Sequence, residues 1–193
     1  MNFEEHAAKL LLRNAGIRVP NGAVAASAES AKQIAAQLGP AVIKAQVPTG
    51  KRGKAGGIAL VDNPDQALEQ ARRILSMHIG EHSVEKVLVE EQIPIAGELY
   101  MAIVNNAENR GPILLFSSEG GMDIEEIAAN HPDKLVRYPL DIRRDMNVEQ
   151  IAENLPIIDG VRSEQLAQFA EKLYQIYRTS DAELLEINPL ALT

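Results

Sequence analysis

The stretch from Ala41 to Leu60, AVIKAQVPTGKRGKAGGIAL, gathers the residues best able to grip an anion. It carries Lys44, Lys51, Arg52 and Lys54, interleaved with Gly50, Gly53, Gly56 and Gly57, and it holds no acidic residue. Glycines let backbone N–H groups approach oxygens closely, and the cations add charge, so the pattern suits a phosphate chain. The spacing is neither G-x-x-x-x-G-K-[ST] nor G-x-G-x-x-G. Both of those loops open a helix, whereas here GIALV follows and reads as a strand. A glycine loop between two strands can instead fold over a triphosphate as a flap. The competing reading is a mobile hairpin turn with solvated cations. Lys44 tilts the balance. It lies within the apolar run AVIKAQV and shares a face with Val42 and Gln46, where a charge costs free energy unless it is paired or faces a site. The plainer account of Lys44 is a charge on an edge strand.

Two acidic groups follow. In VLVEEQIPIAGELY, Glu90 and Glu91 end a strand on opposite faces and Glu98 begins the next. Such a hinge could offer backbone groups to a base and a carboxylate to ribose hydroxyls; otherwise it is a connection with solvated glutamates. In AELLEINPLALT, Glu186 and Asn188 alternate onto one strand face. A carboxylate and an amide oxygen suit Mg²⁺ bridging phosphates, although E-x-N alone is a weak signal. Gly120-Gly121 precedes a helix start, but Glu119, Asp123, Glu125 and Glu126 crowd it, which favours a helix cap over an anion site. His6, His78, His82 and His131 form no metal-ligand spacing.

These residues must be positioned by a mixed set of elements. Helices are predicted over Phe3–Ala15, Ser27–Leu38, Asn63–Ile79, Asp123–Ala129, Val148–Leu155 and Ser163–Thr179. Strands are predicted over Ala41–Val47, Gly57–Val61, Lys86–Glu91, Glu98–Val104, Pro112–Ser117, Lys134–Tyr138 and Ala182–Ile187. Several strands follow one another directly, which favours α+β over a doubly wound parallel sheet. The 193 residues fit one domain or two small lobes. A net charge of -8 argues against general nucleic-acid or anionic-membrane partners. The absence of cysteine excludes disulfide and thiolate chemistry. No apolar stretch is long enough to span a bilayer, and the N-terminus lacks a signal-peptide pattern, so a soluble cytoplasmic protein is expected.

Taken together, MNFEEHAAKLLLRNAGIRVPNG, VIKAQVPTGKRGKAGGI, LVEEQIPIAGELYMAIV, SSEGGMDIEEIA and LLEINPL resemble the ATP-grasp part of the β subunit of succinyl-CoA synthetase (ADP-forming) and of the malate–CoA ligases. The segments occur in order along almost the whole chain, and VIKAQV with RGKAGG, and LEINPL as a terminal strand, are the most specific. The resemblance implies an α+β ATP-grasp fold of two lobes. Residues 21–94 would form the smaller lobe with the flap, and residues 1–20 and 95–193 the other. It implies that Lys44 contacts nucleotide phosphates and that Lys51, Arg52 and Gly53 form the flap. Glu90 and Glu98 would lie at the nucleotide, Ile93 along the hinge, and Asn188 would be a Mg²⁺ ligand. The implied cofactors are ATP or GTP and Mg²⁺. The implied chemistry is that of an NDP-forming acid–thiol (CoA) ligase of the tricarboxylic acid cycle. The implied partner is a CoA-binding α subunit carrying a phosphohistidine, with CoA and a small dicarboxylate such as succinate, malate or citrate in the full assembly.

Two departures from the family pattern stand out. The family has glycine where Lys51 stands, which implies a more basic and stiffer flap. The family chain also continues past LEINPL to a second Mg²⁺ ligand, an aspartate, and a C-terminal CoA-ligase domain, and neither follows Thr193. The expectation is a fragment, an expressed domain or a split subunit that binds nucleotide without complete ligase activity. The alternative is a nucleotide-dependent interaction or regulatory module. A carboxylate–amine ligase of the same fold is disfavoured by RGKAGG and LEINPL.

Overall fold

The computed structural model describes residues 2–108, 110–121 and 124–193. It divides into two compact units, residues 1–93 and 94–193.

The first unit contains helix α1 (Glu5–Asn14), strand β1 (Gly22–Ala25), helix α2 (Ala28–Leu38), strands β2 (Ala41–Ala45) and β3 (Ile58–Val61), helix α3 (Pro64–Leu75), a small hairpin β4 (His78–Ile79) and β5 (His82–Ser83), and strand β6 (Val87–Glu91). The main sheet is antiparallel in the order β1-β6-β2-β3. Both long helices have sequence-encoded starts. The Ser27 hydroxyl accepts from the Ser30 N–H at 3.1 Å, and Asn63 Oδ1 accepts from the N–H groups of Asp65 and Gln66 at 3.1 and 3.0 Å, with Pro64 in the first turn. Ala31 and Ala35 of α2 and Ala67, Ala71 and Ile74 of α3 are buried with Ile43, Val87 and Val89 of the sheet. Small residues on the facing helices let both lie close to the strands, so an aliphatic core forms with few aromatics.

Strand alternation sends the other side chains to the opposite face. There Lys44 pairs in register with Leu88 of β6 and Ile58 of β3, and Val42 with Glu90. Helix α1 is bound to this face: the His6 N–H donates to Gln46 Oε1 at 2.9 Å, and Lys9 Nζ meets Glu90. Residues 1–20 therefore cluster with the first unit, whereas the sequence reading grouped them with 95–193.

The second unit contains strands β7 (Gly97–Asn106) and β8 (Gly111–Ser117), helix α4 (Ile124–Asn130), a 3-10 turn (Pro132–Lys134), strand β9 (Leu135–Pro139), helices α5 (Val148–Asn154) and α6 (Ser163–Thr179), and strand β10 (Leu184–Leu192). Its antiparallel sheet runs β10-β7-β8-β9. Consecutive residues Leu99 to Ile103 of β7 are all buried, as expected for a central strand covered on both faces. Helix α6 buries Leu166, Ala170, Leu173, Tyr174 and Tyr177, and the Tyr174 hydroxyl donates to the Asp141 carbonyl at 3.1 Å.

The element types agree with the sequence reading, with three differences. Strand β1 was not foreseen, because GAVA is short and alanine-rich. Helix α3 ends at Leu75 and not at Ile79: the Ser76 N–H and hydroxyl turn back onto Arg73, and the β4–β5 hairpin follows with Gly80 at φ +60°. Strand β10 starts two residues later than predicted and runs on through Pro189, with a register shift between Ile187 and Leu190. An edge strand tolerates this, since its outer N–H groups need no partner. Asp123, the predicted start of α4, lies outside the described residues. Among the described residues no helix is long and apolar enough to cross a membrane.

Candidate functional site

In the first unit the sequence-predicted cations meet a carboxylate that the sequence reading had at the nucleotide. Lys44 Nζ lies 2.7 Å from Glu90 Oε2. Residue Glu90 is only 2% exposed, so the pairing is what makes its burial affordable. Two residues of α1 complete the cluster. Lys9 Nζ lies 2.6 Å from Glu90 Oε2 and 2.7 Å from Glu5 Oε1, and Glu5 Oε1 lies 3.1 Å from Lys44 Nζ. Arg52 reaches in from the glycine loop, with Nη2 2.9 Å from Glu5 Oε2 and Nη1 donating to the Ala45 carbonyl at 3.0 Å. Among the described residues, three cations thus surround two carboxylates, a local excess of one positive charge.

The electrostatics follow. Burial alone would raise the Glu5 pKa, but Lys44, then Lys9 and Arg52, outweigh it and hold the carboxyl at about 2. For Lys44, burial works against the charged form, while Glu5 and Glu90 outweigh it and raise the pKa above the ordinary lysine value. Lys44 therefore stays cationic within a partly buried face.

The loop that follows has its own geometry. The Gly57 N–H donates to the Arg52 carbonyl at 2.8 Å, the Ala55 N–H to Lys51 at 3.1 Å, and the Ala45 N–H to the Gly57 carbonyl at 2.7 Å. Gly57 is tightly packed: a Cβ there would lie 2.8 Å from Ile79 Cδ1 and 3.1 Å from both Ala45 Cβ and the Arg52 carbonyl oxygen. Lys51 sits at φ +60°, the left-handed region that favours glycine, which gives a physical reason for the glycine of the family pattern. Lys51 and Lys54 line a cavity of about 410 Å³ with Thr49, Gly50, Ala55, Ile79 and Gly80. Gly53 is exposed within the loop, and Ile93 is half-buried at the end of the unit.

In the second unit Glu98 and Asn188 meet at Gly120-Gly121. The Gly120 N–H donates to the Glu98 carbonyl at 2.8 Å, and the Gly121 N–H donates to Asn188 Oδ1 at 2.8 Å. A Cβ on Gly121 would lie 2.3 Å from Glu98 Oε2. Because a backbone N–H can only donate, the contact fixes which end of the Asn188 amide is oxygen. Glu186, two residues before Asn188, accepts from the Tyr100 hydroxyl; burial, then the Glu186 charge, push that hydroxyl's pKa far up. The two N–H groups of the glycine pair are engaged by protein oxygens. The carboxylate and amide oxygens of Glu186 and Asn188 are hard ligands of the kind Mg²⁺ takes. Among the described residues no group of three or more His, Cys, Asp or Glu side chains could hold a metal.

Lys44, Arg52 and Glu90 are thus brought together in one unit, and Glu98 and Asn188 in the other. Sequence reasoning missed Glu5 and Lys9. Their i, i+4 spacing was a signal, but it reads equally as a solvent-facing helix pair.

Comparison with known proteins adds lineage. The sequence matches the ATP-grasp domain family over residues 2–192. It is 43% identical over 197 residues to the β subunit of succinate–CoA ligase [ADP-forming] from Rubrobacter xylanophilus, covering all of this chain and 51% of that protein. It is 41% identical over 196 residues to the β subunit of succinate–CoA ligase [GDP-forming] from Thermus thermophilus, covering all of this chain and 52% of that protein. The chain spans about half the length of these curated relatives. Among solved structures it resembles ATP citrate lyase from Methanothrix soehngenii with a TM-score of 0.75 at 22% identity, covering 98% of this chain and 47% of that one, a likeness of fold alone.

Proposed function

The chain belongs to the ATP-grasp domain family, and on that premise we propose that it is the nucleotide-binding portion of a succinate–CoA ligase β-type subunit. The observation that carries this reading is the cluster at Lys44. Two carboxylates, Glu5 and the buried Glu90, hold a strand lysine charged beside the glycine loop that supplies Arg52. A lysine and an arginine converging beside a glycine loop suit the oxygens of a di- or triphosphate.

Each residue has a part in this proposal. The two compact units are the two lobes of the fold. Lys44 and Arg52 meet phosphate oxygens, Lys51 adds charge from the loop, and Gly53 leaves its backbone approachable. Glu90 and Glu98 lie at the nucleotide, and Ile93 offers an apolar contact along the hinge. Asn188, whose Oδ1 accepts from the Gly121 N–H, would help hold Mg²⁺. When bound, a nucleoside triphosphate would supply the transferable phosphoryl group and Mg²⁺ would offset its charge. The chain's own residues position the phosphates and offset charge, which is most of what catalysis of phosphoryl transfer asks of a protein.

In the complete assembly the phosphoryl group passes to a histidine of a CoA-binding α subunit and then to a small dicarboxylate, from which CoA displaces it. Relatives named for ADP and for GDP match this chain almost equally well, so ATP and GTP both remain candidate donors. The chain binds nucleotide in this reading. Its working site is soluble and cytoplasmic.

The test is calorimetric titration of MgADP into the wild-type chain and Lys44→Ala. Binding by the wild type that is weakened at least tenfold by the substitution supports the reading. Equal binding by both proteins removes Lys44 from it.

A further inference from the structure

We propose that Glu5 is a specificity-determining residue of the phosphate grip: a built-in carboxylate that competes with phosphate for Lys44 and Arg52, and so weakens binding in proportion to the charge a ligand brings. This rests on the nucleotide reading above. Glu5 is on α1, away in sequence from every segment of the grip, yet its two oxygens are 3.1 Å from Lys44 Nζ and 2.9 Å from Arg52 Nη2. Those two atoms are the ones a phosphate oxygen would contact. Without nucleotide, the carboxylate stands where phosphate charge would stand.

The sign of its effect follows from what else holds the cations. Lys44 is also fixed by Glu90 at 2.7 Å, and Arg52 by the Ala45 carbonyl at 3.0 Å. Each keeps an anchor when Glu5 is neutralised, so the grip persists while its net charge, among the described residues, rises from one positive to two. The groups facing Glu5 are Lys9 from its own helix, Lys44 from β2 and Arg52 from the loop, with Glu90 of β6 sharing Lys9 and Lys44. No second carboxylate contacts Arg52 among the described residues, so nothing described replaces the charge that Glu5 contributes there. Each phosphate oxygen that reaches these cations must displace Glu5, so neutralising Glu5 helps most the ligand that brings the most charge. Lys9, already 2.7 Å from Glu5 Oε1, keeps that pairing when Lys44 and Arg52 turn to phosphate.

The probes are inorganic tripolyphosphate, ADP and adenosine, titrated calorimetrically into the wild-type chain, Glu5→Gln and Lys44→Ala at one ionic strength. Glu5→Gln is expected to bind tripolyphosphate roughly tenfold more tightly than the wild type, a shift of one decade in Kd, with a smaller gain for ADP and none for adenosine. Unchanged or weaker tripolyphosphate binding by folded Glu5→Gln overturns the inference. A second measurement needs no variant: on adding tripolyphosphate to the wild type, the Glu5 side-chain carboxyl carbon resonance must shift as its cations leave, and a fixed resonance at saturation overturns the inference. Weakened binding by Lys44→Ala with no gain in Glu5→Gln defeats this inference and leaves the nucleotide reading standing. Failure of the wild type to bind either ADP or tripolyphosphate defeats both.

Discussion

Glu5 makes a stability prediction that is separate from ligand binding. Its carboxyl has a folded-state pKa of about 2 against an ordinary value of 4.5. Each pKa unit corresponds to about 1.4 kcal/mol, so the depression is worth about 3 kcal/mol to the folded state. The side chain is 18% exposed, which keeps solvent screening modest. Because the folded-state value lies below the unfolded one, the stabilisation is complete above pH 4.5 and is lost as pH falls from there through about 2. Against a typical domain stability of about 5–15 kcal/mol this is a large share. The assay is urea denaturation of the wild type and Glu5→Gln, followed by circular dichroism at several pH values. Both proteins keep every other carboxylate, so the difference in their unfolding free energies isolates this one. That difference should be about 3 kcal/mol near neutral pH and should shrink toward zero as pH approaches about 2. A difference that stays constant across the acid range would refute the electrostatic account of the cluster.

Three further outcomes are expected. Lys51→Gly should be tolerated, whereas Lys51→Val should cost about 1–2 kcal/mol because a β-branched residue is forced to φ +60°; equal melting of the two variants would remove the backbone argument. Gly120→Ala would put a Cβ 2.4 Å from the Leu99 carbonyl oxygen and should destabilise by more than about 2 kcal/mol, while Gly50→Ala meets nothing within 4 Å and should be near neutral in the same denaturation assay. Ile74→Ala empties a fully buried position between α3 and its sheet and should cost about 2–5 kcal/mol, with a loss below about 1 kcal/mol counting against the core described for the first unit.

The degree to which the fold was legible differs among elements for physical reasons. Helices α2 and α3 announced themselves because Ser27, Asn63 and Pro64 are local signals that act within a few residues. Helix α1 was legible as a helix, but its buried face was not. Phe3 and Leu10 follow helical spacing yet are 58% and 55% exposed, while the face toward the sheet carries Glu5, His6 and Lys9. Periodicity assumes that the buried side is apolar, and an ion cluster defeats that assumption. Lys44 was recognisable because a charge in an apolar strand needs a partner. Which partner could not be read, since the approach of Glu90 and Glu5 depends on the long-range pairing of β2 with β6 and on where α1 docks. Asn188 was placed on a strand correctly, but its contact with Gly121 spans 67 residues and has no local sequence signal.

The central claim, that the Lys44 cluster and the glycine loop grip a nucleotide, is most directly tested by titrating MgADP into the isotopically labelled chain and mapping backbone amide resonances. The account predicts saturable shifts concentrated at Lys44, at Lys51 to Gly53, from Glu90 to Glu98 and at Asn188. Shifts absent from Lys44 and the loop at saturating nucleotide, or concentrated on the exposed helical faces of α2 and α3, would contradict it.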